Sequence, residues 1–304
     1  MGQVLVLGLI SGGIYALFAL SVVMVYRGTG VLSFAQGEIG TAALFVAAWL
    51  VTDHGMPWWV GALAALVTAT VMGALFEFVV VRHMVGSDPT SVAVATVGLG
   101  LLLLTVEIQV VGVSPKQLGG PFKGGTQIAG VVVSPTQMIA IALAVVLGFG
   151  LQAALRRSDF GLGILASAED PTAVRLVGVP LSRISLTVWG GGAALSAIAA
   201  LLVEPTVGVF VPGYASELYV VGLAAAVVGG LTSLPGAAVG GMAVGIAESA
   251  ATRYLGNHGI PGLRYLVVLT VLLVVLLGRQ LVPELRRKYE KPATPAITPS
   301  SVPA

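Results

Sequence analysis

Nine long apolar runs cover most of this 304-residue chain and restrict what it can fold into. A helix needs about 20 mainly apolar residues to cross a hydrocarbon core of roughly 30 Å. Only 9% of the residues are charged, against roughly 25% in soluble domains, which argues strongly against a water-soluble fold. The runs lie at residues 4–26, 30–51, 57–81, 90–112, 134–155, 184–204, 217–233, 235–254 and 262–280.

The runs do not alternate between polar and apolar residues, so transmembrane helices are favoured over a β-barrel. We predict an all-α, polytopic integral membrane bundle of about eight to nine transmembrane helices over residues 1–282. A disordered cytoplasmic tail is predicted over residues 283–304, which end in a proline-rich stretch. Runs 30–51 and 217–254 contain Gly and Pro, so either can form a broken or re-entrant element. A faint similarity between GGIYALFALSVVMVY and GGGAALSAIAALLV favours an inverted repeat.

The lysines and arginines between the runs predict the orientation of the bundle. With nine spans the termini lie on opposite sides, and the excess of basic residues on one side places residues 156–185 and the C-terminus in the cytoplasm. Because the basic residues lie between apolar runs rather than on one surface, no nucleic-acid partner is expected. One side receives Arg27, Arg82, Arg156, Arg157, Arg175, Arg183, Arg279, Arg286, Arg287, Lys288 and Lys291; the other receives Lys116, Lys123, Arg253 and Arg264.

Two polar interruptions of the apolar pattern are candidate functional segments. Residues 156–185 carry mixed charge over a length that a soluble partner can hold. Residues 32–40 place Ser33, Gln36 and Glu38 within a hydrophobic run. This second interruption is typical either of an irregular, water-lined stretch or of a helix start capped by Ser33.

Carboxylates and glycines also lie within the runs. An ionised group at the bilayer centre costs at least ~2.5 kcal/mol, so each carboxylate should face protein, water or an interface. For Glu107 and Glu248, burial with a hydrogen-bond partner and exposure to an aqueous path both remain open. Small residues let helices approach closely in a bilayer. The glycines predicted to pack helices are Gly229, Gly230, Gly236, Gly240, Gly241 and Gly245.

The residues that support catalysis or metal binding are missing or dispersed. The chain has no cysteine, its three histidines are far apart, and nothing matches the phosphate-binding pattern G-x-x-x-x-G-K-[ST]. We therefore expect no catalytic residues, no metal site and no cofactor on this chain.

Three ordered motifs resemble the permease subunits of branched-chain amino acid ABC importers, over about residues 8 to 280. The first is LSFAQGE (32–38), in which Gln36 stands where members commonly carry His. The second runs from Gly161 through the Ala168-Glu169-Asp170 stretch to Val179, and the third is VGGLTSLPGA (228–237) with Gly240 and Gly241.

The resemblance implies a multi-pass permease in the inner membrane of a prokaryote, working by alternating access. Its expected partners are a second permease, two ATP-binding subunits that carry ATP and Mg, and an external substrate-binding protein. Urea or short-amide import by the same family and ion-coupled secondary transport are the alternatives. The predicted ATPase-coupling residues are Glu169 and Asp170 at a helix start, followed by Val174, Arg175, Leu176 and Gly178; the predicted translocation-pathway residues are Ser33, Phe34, Gln36 and Glu38.

Overall fold

The structure of the chain, a computed structural model, describes residues 1–84, 86–122, 124–169, 174, 176, 178, 180–256 and 262–289. At residues 168–169 and 279–289 it describes the backbone alone. Ten α-helices lie within the described residues. They are α1 (Gly2–Thr29), α2 (Gln36–Ala48), α3 (Trp58–Val79), α4 (Pro89–Val111), α5 (Pro135–Arg157), α6 (Asp159–Glu169), α7 (Leu181–Val207), α8 (Tyr214–Gly229), α9 (Leu234–Leu255) and α10 (Leu263–Tyr289).

Six of these helices, α1, α3, α4, α5, α7 and α9, are long and apolar enough to cross a membrane. Two shorter apolar helices accompany them, α8 and the Leu263–Gly278 part of α10. Run 30–51 forms α2, which continues into a π-helical turn at Trp49–Asp53. The predicted polytopic helical membrane bundle is therefore confirmed.

Three elements differ from the sequence prediction. The loop after α4 contains a small antiparallel hairpin, β1 (Thr126–Ile128) with β2 (Val131–Val133), in which Thr126 lies opposite Val133. An additional helix, α6, lies inside the polar interruption. The backbone of α10 continues past the predicted boundary at residue 282, because residues 283–289 contain good helix formers and no proline after Pro283. Residues 290–304 of the predicted tail lie outside the described residues.

Helices α1 and α7 form the centre of the bundle and are the most deeply buried of the six long helices. They run antiparallel, and the Ser21 hydroxyl of α1 donates to the carbonyl of Gly192 in α7 at 2.8 Å. Helix α1 ends at Gly30 and is followed by the shorter helix α2. Helix α7 ends at Gly208 and is followed by the shorter helix α8. Both glycines have the left-handed conformation. This repeated order, in opposite directions, supports the inverted repeat, which stays a prediction.

Close backbone contacts explain most of the glycines in the last part of the chain. A Cβ at Gly241 would overlap the backbone nitrogen of Ala16, and one at Gly245 would overlap that of Gly12. The small-xxx-small pair therefore packs α9 against α1 within this chain. Gly229, Gly236 and Gly240 pack α8 against α9 in the same way.

Gly230 forms the turn after α8. It is the C-cap of α8 with a φ of 96°, a conformation that residues with a Cβ rarely adopt. Its backbone conformation makes the turn between α8 and α9, and its predicted part in helix packing stays a prediction.

The two ends of the bundle differ in charge. At one end Arg27 donates to the Gln152 side chain at 2.6 Å, and α6 packs against α1 and α5. Arg156 and Arg157 lie at the end of α5, so we call this the basic end. At the opposite end Arg253 donates to Gln3 at 3.2 Å. This sorting agrees with the predicted division of lysines and arginines between the two sides.

Candidate functional site

The segment between α1 and α2 is irregular from residue 31 to residue 35. The N-cap of α2 is Ala35, and no side chain caps this helix. The alternative in which Ser33 caps the helix is therefore wrong, because the helix begins further along the chain, at Gln36. Residues 31–35 are irregular as predicted, whereas residues 36–40 belong to α2; water lining of the segment stays a prediction.

Three helices hold this irregular segment through its backbone. Thr96 of α4 accepts a hydrogen bond from the Phe34 N–H at 2.9 Å. Tyr219 of α8 donates to the carbonyl of Ser33 at 2.5 Å, and Ser196 of α7 donates to the carbonyl of Gln36 at 2.5 Å. Irregular backbone at membrane depth needs such partners, because lipid offers none.

Helix α2 begins inside the bundle rather than at its end. The Gln36 amide nitrogen lies 3.6 Å from the point where a Cβ of Gly192 would stand. Gly192 is eleven residues after Leu181, the first residue of α7, which places it roughly 16 Å along that helix. The positive end of the α2 dipole therefore faces the interior.

The structure brings three of the four predicted pathway residues into the interior. Ser33, Gln36 and Glu38 are at most 7% exposed, whereas the Phe34 side chain is 41% exposed. Among the described residues, no partner is found for the Ser33 hydroxyl, either polar atom of the Gln36 amide, or Oε2 of Glu38. Buried polar atoms normally bond to protein, water or a ligand.

Helix α8 begins beside this segment and runs antiparallel to α2. The Ala215 N–H donates to the Thr41 hydroxyl at 3.0 Å, and Gly37 packs directly on Ser216. The N-cap of α8 is Gly213. Its N–H donates to Oε2 of Glu107 at 3.3 Å, and Oε1 of Glu38 lies 3.6 Å from the point where its Cβ would stand. Two carboxylates from α2 and α4 thus meet at the start of α8.

The other carboxylates within the runs have clearer partners or lie elsewhere. Glu248 forms an ion pair with Arg264 of α10, with 3.2 Å between Oε1 and Nε, and accepts from Tyr15 at 2.5 Å. Oε1 of Glu204 accepts from the Leu118 N–H at 2.8 Å. Glu248 therefore has partners but is only partly buried, and its exposure to an aqueous path stays a prediction. Glu107 combines both alternatives, because it has a backbone partner and also lines a cleft.

The predicted coupling residues lie at the basic end. Helix α6 starts after Ser158, whose hydroxyl accepts from the Gly161 N–H at 3.0 Å. Glu169 is the last residue of α6. The helix start predicted just after Glu169 and Asp170 falls in a stretch outside the described residues, so this assignment stays a prediction; Val174 and Leu176 beyond it are helical.

The remaining coupling residues are only partly described. Val174 is buried and Leu176 is 86% exposed, so the two side chains do not share a surface. Gly178 has a φ of 83°. Asp170 and Arg175 lie outside the described residues. Beside α6, a cleft of about 710 Å³ is lined by Glu77, Ser167 and the ends of several helices.

Sequence reasoning missed the side chains that surround residues 33–38. Thr96, Ser196 and Tyr219 lie 62, 160 and 186 residues from their partners, so no local pattern marks them. Glu107 could be recognised in the sequence, because it is a carboxylate within an apolar run. Nothing in the sequence marked Gly213.

The fold and this site define a multi-pass membrane protein with two helices that start next to each other in the bundle, a design found in transporters. The family described as "Branched-chain amino acid transport system / permease component" matches residues 4–276. The chain belongs to this family. The predicted resemblance is confirmed.

Named relatives agree with this assignment. The chain is 31% identical to the high-affinity branched-chain amino acid transport system permease protein BraD of Pseudomonas aeruginosa, covering 91% of this chain and 93% of the relative. It is 28% identical to the corresponding protein LivH of Escherichia coli, covering 90% and 94%. Among solved structures it is similar to PsaBC from Streptococcus pneumoniae in complex with Fab at 15% identity and a TM-score of 0.49, covering 92% and 94%; no conclusion rests on that similarity.

Proposed function

We propose that this chain is the membrane-spanning subunit of an ABC importer for branched-chain or related small amino acids in a prokaryotic cytoplasmic membrane. The family match over residues 4–276 carries the proposal. The relatives named for branched-chain amino acid transport support the substrate class. Transport then proceeds by alternating access between the two sides of the bundle.

The translocation pathway passes the segment from Ser33 to Glu38. Its polar atoms lie at the start of a helix inside the bundle and lack partners among the described residues. Such groups can exchange hydrogen bonds with a passing substrate or with water. The side chain of Phe34, in the same segment, is partly exposed.

Energy comes from two ATP-binding subunits, which hold ATP and Mg and dock on residues 156–185. Helix α6 can transmit their motion because it is tied to the bundle. A Cβ at Gly161 would overlap the backbone of Leu155, and the Ser167 hydroxyl donates to the carbonyl of Gly28 at 3.3 Å. A tightly packed helix moves with its neighbours as a unit. Leu176 is exposed to contact the partner.

Two further partners complete the importer. A second permease, identical or related, encloses the pathway with this chain. An external binding protein delivers the substrate at the opposite end of the bundle. This chain holds no cofactor of its own in the proposed assembly.

Uptake by the reconstituted importer tests this proposal. The chain, its partner permease and its ATP-binding subunits are placed in proteoliposomes, with the binding protein and labelled leucine outside. We expect uptake that requires ATP inside, stops with a non-hydrolysable ATP analogue, and is competed by valine and isoleucine but not by urea. Equal uptake without ATP, or preferred uptake of urea, would contradict the proposal.

A further inference from the structure

A cleft of about 500 Å³ opens between α2, α3 and α4 towards the opposite end of the bundle. Its volume suits a small molecule. Four of its polar or charged lining residues are Thr52, Asp53, Glu107 and Lys116. Most of the rest of its wall is apolar and includes Phe45, Val46, Trp49, Met72, Leu103 and Val106.

Glu107 is a buried carboxylate in the wall of this cleft. It is 5% exposed, and its Oε2 accepts from the Gly213 N–H at 3.3 Å. Its Oε1 is buried and has no hydrogen-bond partner among the described residues. The N–H of Gly213 and the start of α8 favour a negative charge here.

Glu38 supplies a second carboxylate beside the first. It lies against Gly213 from the α2 side, with Oε1 3.6 Å from the point where a Cβ of Gly213 would stand. It is 7% exposed, and its Oε2 is also without a partner among the described residues. In the described part of the chain, Arg264 with Glu248 is the one pair of Arg or Lys with a carboxylate within 4.0 Å. No arginine or lysine nitrogen in that part lies within 4.0 Å of a carboxylate oxygen of Glu38 or Glu107, although Lys116 lines the same cleft as Glu107.

We propose that Glu107, with Glu38 as the second negative charge, binds the ammonium group of the transported amino acid, whose apolar side chain contacts the cleft wall. This inference rests on the proposed function. Two ionised carboxylates that flank the same residue, Gly213, in a low-dielectric interior repel each other unless a cation joins them or a proton neutralises one. An ammonium group offers three N–H donors, and the unpartnered Oε1 of Glu107 on the cleft wall can accept one. Glu38 does not line the cleft and acts through its charge.

The cleft wall combines the Glu107 carboxylate with a largely apolar surface, and this combination suits a branched-chain amino acid. Aromatic and aliphatic side chains gain free energy by burying an aliphatic side chain of the substrate. Glu204 also has an unpartnered oxygen, Oε2, among the described residues, but neither Glu204 nor Glu248 lines this cleft. Glu107 therefore combines burial, a free oxygen and a position on the cleft wall.

Ligand binding to the assembled importer in nanodiscs, without the external binding protein, tests the site. The probes are labelled leucine and labelled 3-methylbutylamine, which keeps the amine and lacks the carboxylate. We expect the wild type to bind both, and 4-methylpentanoate, which lacks the amine, to compete poorly. Glu107→Gln and Glu38→Gln should each raise the Kd at least about tenfold, since the first removes a hydrogen bond to a charged group and the second removes a nearby negative charge.

Glu217→Gln is the matched control, because Glu217 is an exposed carboxylate on α8. In the Glu107→Gln variant the side-chain amide oxygen can still accept from Gly213, so assembly should persist and is checked by size-exclusion chromatography. Unchanged Kd values in both Gln variants, as expected for a pair that holds only a shared proton, would overturn the site. Equal competition by 4-methylpentanoate, or no amine binding by the wild type, would also overturn it. ATP-driven leucine uptake, measured in the same preparation, tests the proposed function separately.

Discussion

Replacing Gly245 by valine is expected to remove nearly all folded protein from the membrane. Gly245 lies where α9 crosses α1, and a Cβ there would overlap the backbone of Gly12 and the carbonyl of Gly8. Because these are backbone atoms, no side chain can move aside, and we expect a penalty of about 3 kcal/mol or more, at the upper end for overpacking. The measurement is the monodisperse fraction and thermal midpoint of the detergent-solubilised protein.

Gly150→Val provides the matched control for this substitution. Gly150 lies on α5, and nothing stands within 4 Å of the point that its Cβ would occupy. The Gly150→Val protein should therefore keep the wild-type elution profile, and its thermal midpoint should stay within a few degrees of the wild type. A surface substitution of this kind usually changes the free energy of unfolding by about 0.5 kcal/mol or less. A Gly245→Val protein as stable as this control would contradict the described contact between α1 and α9.

The combined substitution Glu169→Lys and Asp170→Lys is expected to abolish uptake while the chain still inserts into the membrane. Reversing two charges in the segment proposed to hold the ATP-binding subunits replaces attraction by repulsion, and mismatched charges at an interface cost several kcal/mol. The measurement is co-purification of the ATP-binding subunits together with labelled-leucine uptake. Glu217→Lys, on the exposed surface of α8, should leave co-purification unchanged. Normal co-purification of the double variant would refute the coupling assignment.

The bundle itself could be predicted because each apolar run is a local property of the sequence. The 22 to 28 residues of α1, α3, α4, α5, α7 and α9 match the thickness of a bilayer. Helix α6 was harder to predict, because eleven residues with mixed polarity resemble a connecting loop. The start of α2 at Gln36 depends on contacts with other helices, so no local pattern fixes it.

The candidate site was predictable only where polarity itself is unusual. Ser33, Gln36 and Glu38 are polar residues in an otherwise apolar run, so the sequence alone marks them. The side chains that bond to the backbone of residues 33–36 come from α4, α7 and α8. The ion pair of Glu248 is made with Arg264, which lies on a different helix. Such contacts join residues that are far apart in the chain, and a single sequence does not reveal them.

The accessibility of a single cysteine at position 176 tests the central claim most directly, namely that separate ATP-binding subunits drive this bundle from its cytoplasmic end. The chain has no cysteine, so Leu176→Cys introduces one thiol at a side chain that is 86% exposed. The account predicts that a membrane-impermeant maleimide labels it in inside-out vesicles only, and that the assembled ATP-binding subunits protect it. Labelling in right-side-out vesicles, or equal labelling with and without those subunits, would contradict the account.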